Sequence, residues 1–287
     1  MLAVYQKELK SYFGNVFGYL YISILLLFMG IFVTVNQVNS LNSDLTETFG
    51  TFGFVLILAT PLLTMRIIAE ERQKKTDQLL YSLPISVSSI VIAKYLAMLT
   101  VFTVPMAVIS IYPYILSHFG FIDAPVTYGA LLALYLLGAS LLAIGMFVSA
   151  LTENQIVSAI LSFLVMLIIY FSDAIASNLP SEPKVSFIAI TALVLILGLI
   201  VQVMVKNYIV SLSVMAVFEV VLAVLFKKNP ALFEGLFAKI VSWLSVSSRW
   251  VVFRYGVFDL TSVVYFLSVI FLFVFLSVQA VEKRRWS

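Results

Sequence analysis

Long apolar runs separated by short polar segments fill the sequence from residue 16 to residue 281. A helix needs about 20 consecutive apolar residues to cross the hydrocarbon core of a bilayer. Runs of this kind predict an all-α integral membrane protein, a polytopic helical bundle with one transmembrane domain over residues 1–287. The eight predicted membrane spans are residues 16–38, 49–69, 87–117, 127–151, 156–176, 185–205, 208–226 and 260–281.

Two segments outside these spans also have helical periodicity. Residues 1–15 place apolar and aromatic side chains on one helical face, which predicts an amphipathic helix in the headgroup region. The alternative is that these residues only begin the first span. Residues 227–259 carry an apolar helical stripe together with Trp243 and Trp250, which are typical of a membrane interface. We expect this second segment to be an extracytoplasmic interfacial or re-entrant region.

The composition supports a membrane protein and argues against several kinds of site. Hydrophobic residues make up 62% of the chain and charged residues 11%, with a mean hydropathy of +1.11. Soluble domains are about 45–50% apolar and about 25% charged. The absence of cysteine and the single histidine argue against disulfides, metal sites and catalytic triads. No basic run with interleaved aromatic residues indicates binding to nucleic acid.

The distribution of basic residues predicts the orientation in the membrane. Cytoplasmic loops are enriched in Lys and Arg. If the N-terminus is cytoplasmic, the inner side collects eleven of the 17 basic residues, and the first two outer loops contain none. We therefore expect a multi-pass protein of the cytoplasmic membrane with both termini in the cytoplasm. If residues 185–226 form a shallow hairpin instead of two spans, six spans remain with the same orientation.

The densest cluster of charge follows the second span. Because lipid excludes so much charge, residues 70–86 are predicted to form a cytoplasmic loop. Thr76 is a suitable N-cap, and Asp77 suits the positive first turn of a new short helix. Pro84 ends that helix, and Ser86 is a suitable cap for the third span.

A two-turn amphipathic helix between two spans has the shape of a docking element for a soluble partner. The alternative is a solvated basic loop that serves only membrane topology. The candidate docking residues are Glu70, Glu71, Arg72, Thr76, Asp77, Gln78, Leu79, Leu80, Tyr81, Leu83 and Pro84.

Two further acidic residues lie within or near predicted spans. Glu219 is deep in the seventh run, and Asp173 is near the outer end of the fifth. An acid inside a membrane is a candidate for a substrate or partner contact, and the alternative is a hydrogen-bonded contact between helices. Paired glutamates such as Glu70 and Glu71 also serve intramembrane CAAX-type proteases, but that chemistry needs several histidines and the chain has only His118. We therefore expect no enzymatic activity in this chain.

Four stretches, in order along the chain, resemble one family of membrane proteins. They are VYQKELKSYF from Val4, PLLTMRIIAEERQKKTDQLLYSLPISVSSIVIAKYLA from Pro61, SALTENQIVSAI from Ser149, and SVSSRWVVFRYGVFDLTSVVYFLS from Ser245, which is followed by VEKRRW. Together they are similar to type-2 ABC exporter permeases, most of all to the branch that includes the gliding-motility permease and the nitrous-oxide-reductase accessory permease. That family usually has six spans, so the resemblance implies that residues 185–226 are an inserted pair.

The resemblance implies a permease that pairs with an identical or related second copy, each docking on a separate ATPase subunit that holds ATP and Mg²⁺. Residues 70–84 would match the main coupling helix, and residues 1–15 the interfacial elbow helix. The second cytoplasmic contact would be formed by Glu153, Asn154 and Gln155. An extracytoplasmic accessory subunit is a further expected partner.

The chain lacks the phosphate-binding motif G-x-x-x-x-G-K-[ST]. We therefore expect it to bind no cofactor and to receive its energy from another polypeptide. The expected function is the membrane-spanning permease subunit of an ATP-driven exporter. Two alternatives are a secondary transporter driven by an ion gradient and a membrane scaffold that transmits force to an extracytoplasmic partner.

Overall fold

The computed structural model describes residues 1–77, 85–205 and 208–285, of which nearly all are helical or in turns. Helix accounts for 83% of the structure, and these ranges contain no strand, so the predicted all-α fold is confirmed. The chain divides into two compact units. The first comprises Met1–Ile168 with Val246–Ser287, and the second comprises Ile169–Ser245.

The helices are named in chain order. They are α1 (Leu2–Gly14), α2 (Val16–Val33), α3 (Thr46–Thr64), α4 (Ala69–Gln73), α5 (Val87–Ile109), α6 (Tyr112–Leu116), α7 (Ala124–Leu151), α8 (Gln155–Ser177), α9 (Pro183–Val205), α10 (Tyr208–Lys228), α11 (Leu236–Trp243), α12 (Val246–Arg254) and α13 (Leu260–Arg285). A π-helical turn, Thr34–Val38, continues α2, and a 3-10 turn, Pro230–Phe233, precedes α11.

The core of the first unit forms around α7, which packs against α3, α5, α12 and α13. Glycines allow the helices to approach closely. A Cβ atom at Gly138 would lie 2.2 Å from the ring of Phe102 on α5. A Cβ atom at Gly145 would lie 2.4 Å from Thr64 Oγ1 on α3 and 2.8 Å from Met166 Cε on α8. The packing of α7 therefore depends on the missing side chain at both positions.

The N-terminal segment forms a helix of its own. Asn15 has extended backbone and separates α1 from α2, so this segment does not simply begin the first span. One face of α1 is buried through Val4, Glu8 and Tyr12. The Tyr12 hydroxyl donates to the Leu63 carbonyl at 3.0 Å and ties α1 to the end of α3. The location of α1 at a membrane surface stays a prediction.

The second predicted span ends in a turn, and the third is divided into two helices. A turn at residues 65–68 separates α3 from α4. In the third, α5 ends at Ile109 and Pro113 lies in the first turn of α6. Proline has no N–H to donate to the carbonyl four residues earlier, which explains why α5 stops there. At the other end of α5, the Ser86 side chain accepts from the Ser89 N–H, so the predicted cap is confirmed.

Six helical segments among the described residues are long and apolar enough to cross a membrane. They are Val16–Val38, Thr46–Gln73, Val87–Leu116, Ala124–Leu151, Gln155–Ser177 and Leu260–Arg284. These segments agree with six of the eight predicted spans. For the other two, the Pro183–Ile196 part of α9 is a shorter apolar segment, and a membrane crossing by α9 or α10 stays a prediction.

The second unit contains α9, α10 and α11 together with the end of α8. The rings of Phe187 and Phe226 stack with centroids 4.4 Å apart, and Phe233 packs edge-on against both at 5.7 and 5.4 Å. Gly235 has φ +63° and donates its N–H to the Ser181 carbonyl at 3.0 Å, just before α11. Residues 227–259 are therefore largely helical, and their position at a membrane interface stays a prediction.

Candidate functional site

A buried cluster of ion pairs joins α1, α4 and α5. Lys94, about two turns into α5, is 2% exposed. Its Nζ lies 3.0 Å from Glu8 Oε1 and 2.9 Å from Glu71 Oε2, and it donates to the Ile67 carbonyl at 2.9 Å. An ammonium group has three N–H donors, so these three contacts satisfy it. Segments far apart in the sequence therefore meet at one buried positive charge.

A second lysine completes the ion-pair cluster. The Lys7 Nζ lies 2.8 Å from Glu71 Oε1 and 3.3 Å from Glu8 Oε1. Burial acts to lower the pKa of Lys7, but the hydrogen bond and charge of Glu71, with a smaller contribution from Glu8, outweigh it and raise that pKa above its ordinary value. The cluster of Lys7, Glu8, Glu71 and Lys94 is thus electrically neutral. Neutrality matters because an uncompensated buried charge is strongly destabilising.

Glu70, next to Glu71, belongs to a more exposed set of charges. Arg66 donates two hydrogen bonds to the Glu70 carboxylate, from Nε at 2.5 Å and from Nη2 at 2.9 Å. The Lys74 Nζ lies 2.6 Å from the same carboxylate. The Arg66 guanidinium also lies 4.1 Å from the centre of the Phe17 ring on α2. These contacts tie the region around α4 to the first membrane span.

The end of α7 holds the turn between α3 and α4 in place. The Ser149 Oγ accepts from the backbone N–H groups of Ile68 at 3.3 Å and Ala69 at 3.0 Å. N–H groups at the start of a helix have no partner within the helix, so this hydroxyl supplies the missing acceptor. Arg72 is 6% exposed and donates through Nη1 to the Ala150 carbonyl. As a result, α4 is attached to α7 as well as to α1 and α5.

The predicted docking segment starts directly at the ion-pair cluster. Lys75 adopts φ +56°, a left-handed conformation that commonly ends helices. The Thr76 N–H then donates to the Glu71 carbonyl at 2.9 Å. Asp77 is buried and lines a small crevice together with Glu71 and Lys94.

Most of the predicted docking helix lies outside the described residues. This applies to Gln78, Leu79, Leu80, Tyr81, Leu83 and Pro84. The capping role of Thr76 depends on the same residues and stays a prediction.

The second predicted contact is the short loop between α7 and α8, which follows Ser149 and Ala150. The Asn154 Oδ1 accepts from two backbone N–H groups in the first turn of α8, which begins at Gln155, so Asn154 caps this helix. Glu153 lies 2.5 Å from Arg284 Nη2 near the end of α13. Both side chains of that pair are well exposed, so it adds little stability. Glu153 is therefore accessible for contact with another protein.

The two intramembrane acid candidates belong to the second unit. Asp173 is exposed on α8. Glu219 is half-buried on α10, and its Oε1 is buried without a hydrogen-bond partner among the described residues. No group of three acidic or histidine side chains suited to a metal ion occurs in the described part of the chain.

Sequence reasoning did not single out Glu8 or Lys94. A signal was present, because a lysine inside an apolar run is costly unless an acid pairs with it. The partner was harder to find, because Glu8 and Lys94 are 86 positions apart and meet only through tertiary packing.

Comparison with known protein families gives a match over residues 13–216 to the family described as ABC-2 family transporter protein. The chain belongs to this ABC-2 transporter family. The matched range runs from the end of α1 into α10 and therefore includes much of the predicted inserted pair. The curated proteins include no match to the chain.

As an ABC-2 family member, this chain is a multi-pass transmembrane permease of an ABC transporter. Permeases of the ABC-2 family are in general non-catalytic membrane subunits that work with a partner ATPase and a permease partner. The resemblance to type-2 ABC permeases is therefore confirmed at the level of the family, and the matched range contains the second and third of the four stretches.

Proposed function

We propose that this chain is the membrane-spanning subunit of an ABC exporter, within the branch of the gliding-motility and nitrous-oxide-reductase accessory permeases. It forms a dimer and couples ATP hydrolysis by a separate ATPase subunit to the movement of a substrate. The observation that carries the proposal is the buried ion-pair cluster, because the predicted docking segment starts from it at Thr76. Membership of the ABC-2 family supports the ATPase partner.

The contacts of α4 explain how a displacement of the docking segment would be transmitted to the other helices of the bundle. Glu71 links α4 to α1 and α5, and Arg72 and Ala69 link it to α7. Breaking a buried ion pair by removing one partner typically costs about 3–5 kcal/mol. Displacing α4 alone is therefore less favourable than moving α4 together with the ends of α1, α5 and α7.

The mechanism we infer is alternating access. ATP closes the partner ATPases, which shifts residues 76–83, and α2, α3 and α8 rearrange around the dimer interface. The share of the apolar segment that is buried within the chain differs between the spans. It is only 28% for the span that contains α2 and 22% for α8, but 72% for the span that contains α3. Consequently α2 and α8 offer more surface to a second copy or to lipid, and α3 acts mainly inside the chain.

The same proposal assigns the sides of the membrane. The cytoplasmic side of the membrane includes the ion-pair cluster, both termini and the loop at Glu153. The concentration of Lys and Arg in these segments supports that orientation. ATP and Mg²⁺ are held by the partner ATPase, and residues 227–259 face an extracytoplasmic accessory subunit.

Site-specific photocrosslinking in the native membrane tests the docking surface. A photoreactive amino acid at exposed Gln73, at the end of α4, should capture an ATPase subunit, whereas one at Leu41, which is 93% exposed in the first outer loop, should not. Capture of the ATPase from Leu41 instead, or from neither position while the particle contains an ATPase, would contradict docking at α4.

Purification of the tagged full chain from its native membrane tests the energy source. We expect an ATPase with a phosphate-binding motif to co-purify, with equal numbers of permease and ATPase chains. ATP hydrolysis by the pure chain alone would refute the assignment of catalysis to a partner. Substrate movement that follows an ion gradient instead of ATP would favour a secondary transporter, and a complex that moves no substrate would favour the scaffold.

A further inference from the structure

A cavity of about 510 Å³ lies where the π-helical turn after α2 faces α6. It is at the far end of α2 from Val16, and so at the end of the first unit away from the ion-pair cluster. Its walls come from the end of α2, the following loop and α6. The described residues that line it include no Asp, Glu, Lys, Arg or His. The volume falls within the range of about 300–1,000 Å³ that is usual for small-molecule sites.

Gln37 contributes a buried acceptor to the wall of this cavity. Its side chain is 3% exposed, and Nε2 donates to the Asp44 carbonyl at 2.9 Å and to Thr48 Oγ1 at 2.7 Å. The Asp44 carbonyl can only accept, so the amide group must point its NH₂ that way. The Oε1 atom is left without a hydrogen-bond partner among the described residues. Buried acceptors are normally satisfied, so this exception calls for a donor.

Tyr112 contributes a second polar group from α6. Its hydroxyl, which can donate and accept, lies 3.9 Å from the Cβ position at Gly30 on the facing wall and makes no hydrogen bond to the described part of the chain. The rim is apolar, since Leu41 is 93% exposed and Phe119 is 82% exposed. The cavity therefore combines an apolar entrance with a lining that holds uncharged polar side chains, namely Thr34, Gln37, Asn42, Ser43 and Tyr112.

We propose that this cavity binds an uncharged amphipath, with an apolar body and a hydroxyl or amide group that bonds to Gln37 and Tyr112. A charged ligand is excluded because the lining offers no counter-charge, and burying an unpaired charge is costly. A purely apolar ligand would leave the Gln37 acceptor unsatisfied. A bilayer lipid with an uncharged headgroup and a free lipophilic alcohol share this chemistry. Binding does not depend on the proposed coupling to an ATPase.

Photolabelling of the full chain in lipid nanodiscs tests the proposal. The probes are a diazirine-bearing long-chain alcohol, its methyl ether and the matching carboxylate. The alcohol should label peptides of α6 and the π-helical turn roughly five times more efficiently than the ether, which is the effect of one neutral hydrogen bond. The carboxylate should label them least. Equal labelling by alcohol and ether in the unaltered chain would overturn the proposal.

Two variants test whether the probes bind in this cavity. Tyr112→Phe removes only the hydroxyl, which can donate to the oxygen of the alcohol and of the ether alike, so labelling by both should fall about fivefold while the advantage of the alcohol, which comes from donation to Gln37, remains. Gly30→Met fills the cavity and should reduce labelling by all three probes. Gly129→Met is the matched control, because nothing lies within 4 Å of a Cβ atom there, and it should label like the unaltered chain. Undiminished labelling of Gly30→Met would place the site elsewhere and refute the proposal.

Competition distinguishes the two sources of ligand. Displacement of the alcohol probe by monoacylglycerol supports a bilayer lipid as the occupant, and displacement only by octanol supports a free molecule. Failure of both competitors to displace the probe would show that the labelling is not site-specific and would contradict the proposal. None of these measurements includes an ATPase, so their outcome is separate from that of the proposed coupling.

Discussion

Replacing Lys94 with methionine removes the charge at the centre of the ion-pair cluster and keeps a side chain of similar length. The change deletes three contacts of Nζ, to Glu8 at 3.0 Å, to Glu71 at 2.9 Å and to the Ile67 carbonyl at 2.9 Å. It leaves two carboxylates facing each other near a buried methionine. Removing one partner of a buried ion pair typically costs about 3–5 kcal/mol.

The surroundings place this variant at the lower end of that range. Lys7 stays 2.8 Å from Glu71 and 3.3 Å from Glu8, so one positive charge still compensates the pair of acids. We therefore expect Lys94→Met to lower the free energy of unfolding by about 3 kcal/mol. Lys10→Met, an exposed lysine on the same α1 helix that bears Glu8, should lower it by less than about 0.5 kcal/mol.

Reversible unfolding in mixed detergent micelles, followed by tryptophan fluorescence and circular dichroism, measures this difference. Replacing Glu8 with glutamine in the Lys94→Met background should recover most of the loss, because the remaining pair of Lys7 and Glu71 is neutral and has no uncompensated charge. If the free energies of unfolding of Lys94→Met and Lys10→Met differ by less than about 0.5 kcal/mol, the buried cluster does not stabilise the bundle as argued. In the assembled transporter, Lys94→Met should also weaken stimulation of the ATPase, since α4 would move apart from α5.

Three further expectations concern other parts of the chain. Gly145→Leu should destabilise the bundle by about 1–3 kcal/mol or more, because its Cβ atom would lie 2.4 Å from Thr64, whereas Gly129→Leu should be nearly neutral in the same unfolding assay. Leu79→Asp, which places a charge on the predicted apolar docking face, should abolish ATPase stimulation, and a fully coupled variant would argue against docking there. Because the pKa of Lys7 is raised, its ion pairs contribute fully below about pH 10.4, the ordinary lysine value, and are lost as the pH rises further. Unfolding measured between about pH 9 and pH 11.5 should therefore decline less steeply for Lys7→Met than for the unaltered chain.

Local features of the site could be predicted from the sequence because they depend on neighbouring residues. Ser86 caps α5 with its own side chain, and a serine before an apolar run is a recognisable start signal. The predicted second span, residues 49–69, is interrupted by a turn at residues 65–68. That turn is held by the Ser149 hydroxyl, which comes from another helix and leaves no trace in the local pattern.

The sequence alone determined that lipid is the solvent of this chain, where most of its helices lie, and which family it resembles. These conclusions rest on the length of apolar runs and on short stretches of residues, both of which are read along the chain. The tertiary structure alone decided that Lys7, Glu8, Glu71 and Lys94 form one neutral cluster and that Gln37 and Tyr112 line one cavity. Such contacts join distant positions, and they arise from how helices pack together, which hydrophobic periodicity does not encode.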